Sequence, residues 1–256
     1  MKKILAFSSL LLLCTLFTAC NNEDDIVTDG TLKTIENKAL LPTSIVNDVE
    51  TTYFSYDSLN RFTSIVYKSF DQPEDSYSQT ITYSGDLPIQ VIDSALDGSY
   101  LVTFEFIYEN GNNYPSKIRE ISNKQDISSE KSLEINNDKL ISIKRPLERY
   151  YYDLNNNLIK IDSGNDNGVT ELTYDLEKQG FFRHVNLPSW FKTFIKLGAN
   201  GYYCPNLPIS EKENTLLVKY KWLNFQANYP TQVTISVKDF EEVDIYTSTI
   251  TYKEKN

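Results

Sequence analysis

The sequence predicts an all-β fold, an antiparallel meander of tandem β-hairpins with one short packed helix near 189–197. Two observations carry this. A short pattern in which Phe, Leu or Pro is followed three residues later by Ile or Val recurs eight times, at Pro42/Ile45, Phe62/Ile65, Pro88/Val91, Pro115/Ile118, Leu140/Ile143, Leu158/Ile161, Phe182/Val185 and Pro230/Val233. Most instances follow a strand-like run that ends in an aromatic residue and an Asx- or Gly-rich turn, the residues that close hairpins because they tolerate left-handed backbone.

The elements follow in chain order. Residues 1–19 read as a lipoprotein signal peptide, with Lys2 and Lys3 before an apolar stretch from Leu5 to Phe17 that is too short to cross a bilayer comfortably. The end of that leader, Phe17-Thr18-Ala19-Cys20, resembles a bacterial lipobox, which makes Cys20 the expected lipidation site and first mature residue. Residues 20–38 are polar and read as a lipidated flexible tether. Residues 39–256 show no shift in composition and read as a single β-repeat domain. Within it Tyr100, Val102, Phe104, Phe106 and Tyr108 alternate onto one strand face, and proline opens several returning strands, where its missing N–H need not serve a ladder. Ser189 to Gly198 breaks the alternation: a candidate serine N-cap, apolar residues 190, 191, 194 and 195 on one stripe, and a terminal glycine predict an amphipathic helix packed on the sheet. Residues 199–214, with Pro205 and Pro208, read as a loop before strands near 216–225, 230–239 and 243–252. Whether the sheet stays extended, curls or closes is left open by these patterns.

The Tyr-Asp-x-x-Asn stretches at 56–65 and 152–161 resemble the YD repeats of Rhs-type surface proteins, with Asn60 and Asn156 where that family has glycine. Together with the lipobox and the acidic Asn21-Asn22-Glu23-Asp24-Asp25 run, the chain resembles Bacteroidetes outer-membrane lipoproteins built from YD-like repeats. The resemblance implies an extended or curled YD-like sheet and a lipid anchor in the bacterial outer membrane facing the cell exterior. Its motifs encode turns and core positions and imply no catalytic residue. Eight units also look too few for the large shell of Rhs proteins.

Charge and composition exclude several functions. The 256 residues carry 25 Lys and Arg against 35 Asp and Glu, a net charge of −10, which argues against nucleic-acid binding. Loss of Lys2 and Lys3 with the leader leaves 23 basic residues against 35 acidic ones. One histidine and three cysteines cannot build the usual transition-metal sites, and the EF-hand-like run from Asp153 departs from the pattern at Leu158 and Gly164. No cofactor is expected. With Cys14 cut away and Cys20 lipidated, Cys204 has no disulfide partner and reads as a buried, inert thiol. His184 sits in a strand-like run with core-like neighbours, and no Gly-x-Ser-x-Gly elbow is present.

What remains is aromatic. The chain has 18 Tyr and 13 Phe, and the exposed rings most suited to stack on a ligand are Tyr150, Tyr151, Tyr202 and Tyr203. The expected function is non-catalytic binding of an extracellular glycan or protein. The alternatives are a structural or assembly role through exposed strand edges and, last, a hydrolase using two carboxylates such as those among Asp239, Glu241, Glu242 and Asp244.

Overall fold

The computed structural model describes residues 39–109, 111–123, 127–144, 147–164, 168–195 and 204–255. Cys20, the leader and the tether lie outside the described residues, as do Tyr202 and Tyr203. Sixteen strands follow in order: β1 Leu40–Val46, β2 Glu50–Tyr56, β3 Phe62–Ser69, β4 Tyr77–Ser84, β5 Leu87–Ala95, β6 Leu101–Tyr108, β7 Pro115–Ser122 and β8 Ile127–Asn136. The circuit continues with β9 Lys139–Lys144, β10 Glu148–Tyr152, β11 Leu158–Asp162, β12 Val169–Gln179, β13 Asn206–Glu213, β14 Leu216–Gln226, β15 Tyr229–Asp239 and β16 Glu242–Glu254. Among the described residues one α-helix, α1 Ser189–Phe194, lies between β12 and β13, and a single 3-10 turn, Pro73–Asp75, lies between β3 and β4.

Each strand pairs antiparallel with its neighbours, and β1 pairs with β16 through Ile45 opposite Ile250, so the meander closes into a 16-stranded barrel. This overturns the extended or curled YD-like sheet expected from the sequence. Eight hairpins are enough to close a wall because the last strand finds the first, a pairing more than 200 residues apart that no local pattern announces.

The recurring pattern marks one end of the barrel. In every unit the ladder between the two strands stops two residues beyond the pattern's first position: at Ser44 opposite Tyr53, Ser64 opposite Thr80, Gln90 opposite Glu105 and Lys160 opposite Glu171, for example. Past that point the strands part, and the first residue's carbonyl would lack a donor, a state that is costly when buried. A tyrosine from the outgoing strand supplies it. Tyr56 donates to the Pro42 carbonyl, Tyr83 to Phe62, Tyr108 to Pro88, Tyr152 to Leu140, Tyr174 to Leu158 and Tyr252 to Pro230, at 2.5 to 2.9 Å. In the seventh unit Trp222 Nε1 does the same for Pro208, and in the fourth the equivalent position is Ile135, a side chain with no donor. The tyrosine of the Tyr-Asp motif is therefore a clamp across splaying strands. The aspartate that follows holds the turn: Asp57 Oδ1 accepts from the backbone N–H groups of Leu59 and Arg61, Asp153 Oδ1 from those of Asn155 and Asn157. Asn60 and Asn156 take the left-handed backbone, at φ of 62° and 67°.

The core lies inside the barrel, gathered toward this clamped end. Residues 181–195 enter the lumen there instead of forming a strand and a helix laid on the sheet. Phe182 packs edge-on against Phe54 and Phe62, Phe181 against Trp222, and Trp190 and Phe191 against Phe106. This plug touches β2, β3, β6 and β14 and is buried between them. Phe182/Val185 looked like a returning strand because it has the same buried residue types; the true seventh return is β13, inside the span read as a loop. Its prolines hid it: Pro208 sits at a bulge opposite Tyr174, where no ladder bond is lost. The helix starts at Ser189 with Pro188 as N-cap, so the serine is the first helical residue and not the cap.

Candidate functional site

The register fixes which residues face the lumen. On β2 to β5 the inward set beyond the core includes Glu50, Tyr67, Tyr77, Gln79 and Asp93, because these stand two or four residues along their strands from the buried, mutually paired positions Phe54, Ile65, Ile81 and Val91. The same alternation turns Tyr100, Glu120, Lys131, Glu148, Tyr150, Glu211, Tyr220 and Tyr246 inward. The lumen thus has two halves. The clamped end is dry, filled by the plug. Toward the opposite end the wall is acidic and rich in tyrosine, and most of its inward side chains are partly exposed.

The polar half is organised in pairs. Tyr67 donates to Glu50 Oε2 at 2.8 Å, Tyr100 to Asp93 Oδ1 at 3.2 Å and Tyr220 to Glu211 Oε2 at 3.4 Å, and the Tyr150 hydroxyl donates to Glu148. Burial raises the Tyr100 hydroxyl to about 12 with help from the charge of Asp93, and burial also raises the Asp93 carboxyl above its usual range. Lys131 is the one cation facing this half among the described strand residues, and it is held by Glu120 at 2.6 Å. The remaining carboxylates give the lumen a negative field that attracts cations and repels anions.

A second concavity, a cleft of about 790 Å³, opens at the clamped end between α1, the turns at 137–139 and 153–156 and the residues around Arg183 and Cys204. Its chemistry is subdued. His184 lies in a turn rather than a strand, and burial and the cations Arg183 and Lys255 hold its imidazole below its usual value. No hydroxyl or carboxylate is hydrogen-bonded to it among the described residues. Cys204 is buried, its thiol is pushed up to about 11 by burial, and it lies 3.0 Å from the Tyr174 hydroxyl. That is the setting of an unreactive thiol.

Of the sequence-predicted tyrosines, the two described ones point to opposite sides of the wall. Tyr150 is buried on the lumen side, whereas its neighbour Tyr151 faces outward, 40% exposed, beside Lys160. The carboxylates were missed. Glu148 and Tyr150 carried a usable signal, since residues two apart on a strand share a face; the other pairs join different strands and depend on register.

The outer wall is polar at mid-height. Arg119 on β7 bridges Glu105 on β6 and Glu130 on β8 at 3.3 and 3.1 Å, and Lys117 also reaches Glu130. Around them outward positions are largely Ser, Thr, Lys and Glu, with apolar residues such as Leu101 and Ile121 set singly.

No known family model matches the sequence, and the curated proteins give no significant match. Among solved structures the chain is similar to a porin-like protein from Bacteroides uniformis, with a TM-score of 0.52 and 14% identity over 84% of this chain and 98% of that one. The two share a fold. It is a porin-like, closed antiparallel barrel of sixteen strands.

Proposed function

We propose that the chain is a non-catalytic, lipid-anchored barrel of the bacterial outer membrane that stands in water outside the bilayer and holds an extracellular ligand in the polar half of its lumen. The observation that carries this reading is the polarity of the wall. A barrel embedded in lipid turns an apolar band outward, and Arg or Lys at its midplane costs roughly 2–4 kcal/mol each. Here Arg119, Lys117, Glu105 and Glu130 occupy that belt while the buried apolar core and the plug face inward. Membrane attachment then falls to lipid on Cys20, and the acidic run after it fits export to the outer leaflet. The closed wall removes the free strand edges on which an assembly role would rest. That role keeps one supporting feature, the exposed Phe240, Val243 and Ile245 at the β15–β16 tip.

Fractionation of cells expressing the full chain tests the reading. The native protein should sediment with outer membranes, and Cys20→Ser should appear in the detergent-free soluble fraction. Retention of Cys20→Ser in the membrane until detergent is added would show instead that the barrel itself is inserted.

A further inference from the structure

The cleft of about 790 Å³ at the clamped end differs in charge from the rest of the barrel. In a chain of net charge −10, Lys139, Arg183 and Lys192 line it against a single carboxylate, Asp138, among the described residues. None of the three cations has an ion-pair partner among those residues. Arg183 reaches only the carbonyls of Gly180 and Asn228, both at 3.4 Å, with its guanidinium 3.6 Å from the centre of the Tyr229 ring. Lys139 lies 5.3 Å over the Tyr152 ring. Lys192 on α1 is half-buried, and Asp138, which acts on it electrostatically, accepts the Ser189 N–H at 2.8 Å. Burial holds the Lys192 ammonium and the Arg183 guanidinium below their ordinary values, as it does for cations whose lost hydration is not replaced.

Going beyond the lumen reading above, the geometry points to a binding site for an anionic saccharide in this cleft, with its acid group on Lys192 and Arg183 and its hydroxyls on the surrounding carboxamides. Unpaired cations call for an anion, and the planar fork of Arg183 matches carboxylate and sulfate alike. The volume is far more than a bare ion fills and lies in the range of sites that hold small organic ligands. The rest of the lining names the body of that ligand. Asn137, Asn155, Asn156 and Gln179 border the cleft with exposed carboxamides, which donate and accept as sugar hydroxyls do. Leu158 and Phe182 add apolar surface suited to the C–H face of a sugar ring. An acid with an alkyl or aromatic body would take carboxamides away from water and leave them without partners.

Trigalacturonate, a sulfated galactotriose and neutral galactotriose are the probes, titrated calorimetrically into the full mature chain at about 0.15 M salt. At least one acidic trisaccharide should bind at least tenfold more tightly than galactotriose, and the tighter of the two names the acid group. Lys192→Met and Arg183→Gln should each weaken that binding at least tenfold, while Lys160→Gln, beside Tyr151 on the outer wall, leaves it unchanged. Lys192→Met removes a cation that no carboxylate pairs with, so it keeps the test decisive if Arg183→Gln fails to fold. Equal binding of galactotriose, unchanged affinity in folded Lys192→Met, or an equal loss in Lys160→Gln would each overturn the inference. So would sodium sulfate or triglutamate binding as tightly as the acidic trisaccharides, or neither trisaccharide binding at millimolar concentration. The Cys20→Ser fractionation is independent of all these outcomes, and the site lies away from the polar half of the lumen, so this assignment can fall while the water-facing barrel stands.

Discussion

At the scale of single residues the tyrosines divide by what their hydroxyls do. Tyr108 closes the gap between β5 and β6 by donating to the Pro88 carbonyl at 2.8 Å, and Tyr108→Phe leaves that carbonyl without a donor while keeping the ring. The expected loss is about 1–3 kcal/mol, read as a lower denaturation midpoint in urea. Tyr151 faces solvent, so Tyr151→Ala should change stability by no more than about 0.5 kcal/mol in the same assay. The clamps also set an alkaline limit. Burial raises the hydroxyls of Tyr56, Tyr83, Tyr108 and Tyr252 well above the ordinary tyrosine value and that of Tyr152 to about 12. With folded values above the unfolded value near 10, their contribution is complete below pH 10. It declines as pH climbs from there through 12, because the unfolded chain ionises first. Thermal melts at increasing pH, with phenolate absorbance followed in parallel, should show unfolding and tyrosine ionisation rising together; exposed-tyrosine ionisation with an unchanged melting temperature would contradict the clamp.

At the scale of elements the plug is the largest departure from a repeating wall. Trp190 and Phe191 are 1% and 0% exposed and meet Phe106 edge-on, so Trp190→Ala should cost about 3–5 kcal/mol by removing a buried indole. The plug's entry is equally tight. A methyl group at Gly180 would sit 2.2 Å from the Cys204 carbonyl oxygen, and the Gly180 N–H donates to the Pro205 carbonyl at 2.7 Å. Gly180→Ala must therefore push the start of the plug from β13, and hydrogen exchange should quicken at Val185 and Ile195 before it does in β4 or β5. These elements also show what a sequence reveals. The hairpins were legible because Asp57, Asn60, Asp153 and Asn156 specify their turns locally, and the clamping tyrosines recur beside them. The plug was not, because burial selects the same residue types at Phe182 and Val185 whether the backbone runs along the wall or across the lumen. β13 was hidden by Pro205 and Pro208, whose strand-breaking signal is cancelled by a bulge that only the partner strand defines. For the lumen pairs, Glu148 and Tyr150 could be matched from their spacing, but Glu50 and Tyr67 meet only once β2 and β3 are in register.

At the scale of the whole molecule the decisive contact is between the two ends of the chain. Ile45 opposite Ile250, and the pair Asn47 Nδ2 to Ser248 Oγ at 3.0 Å, join residues about 200 positions apart, and both face the interior. Such a closure leaves little local trace, since β1 and β16 each read as ordinary alternating strands. Its physical effect is to eliminate edges: every described strand has two partners, so no free strand edge offers a template for pairing with another copy. Removing residues 242–256 tests this. The shortened chain loses β16 and its Tyr252 clamp on Pro230, uncovering the inner edge of β1 and the full length of β15, whose eleven residues carry no strand-blocking proline after Pro230. Two long unpaired edges and an opened core should drive association, seen as oligomers by size exclusion with light scattering under conditions where the complete chain is monomeric. A shortened chain that stays monomeric would mean that the plug, gripping β2, β3, β6 and β14 from within, holds the wall together without closure, and that the β1–β16 seam is incidental to stability.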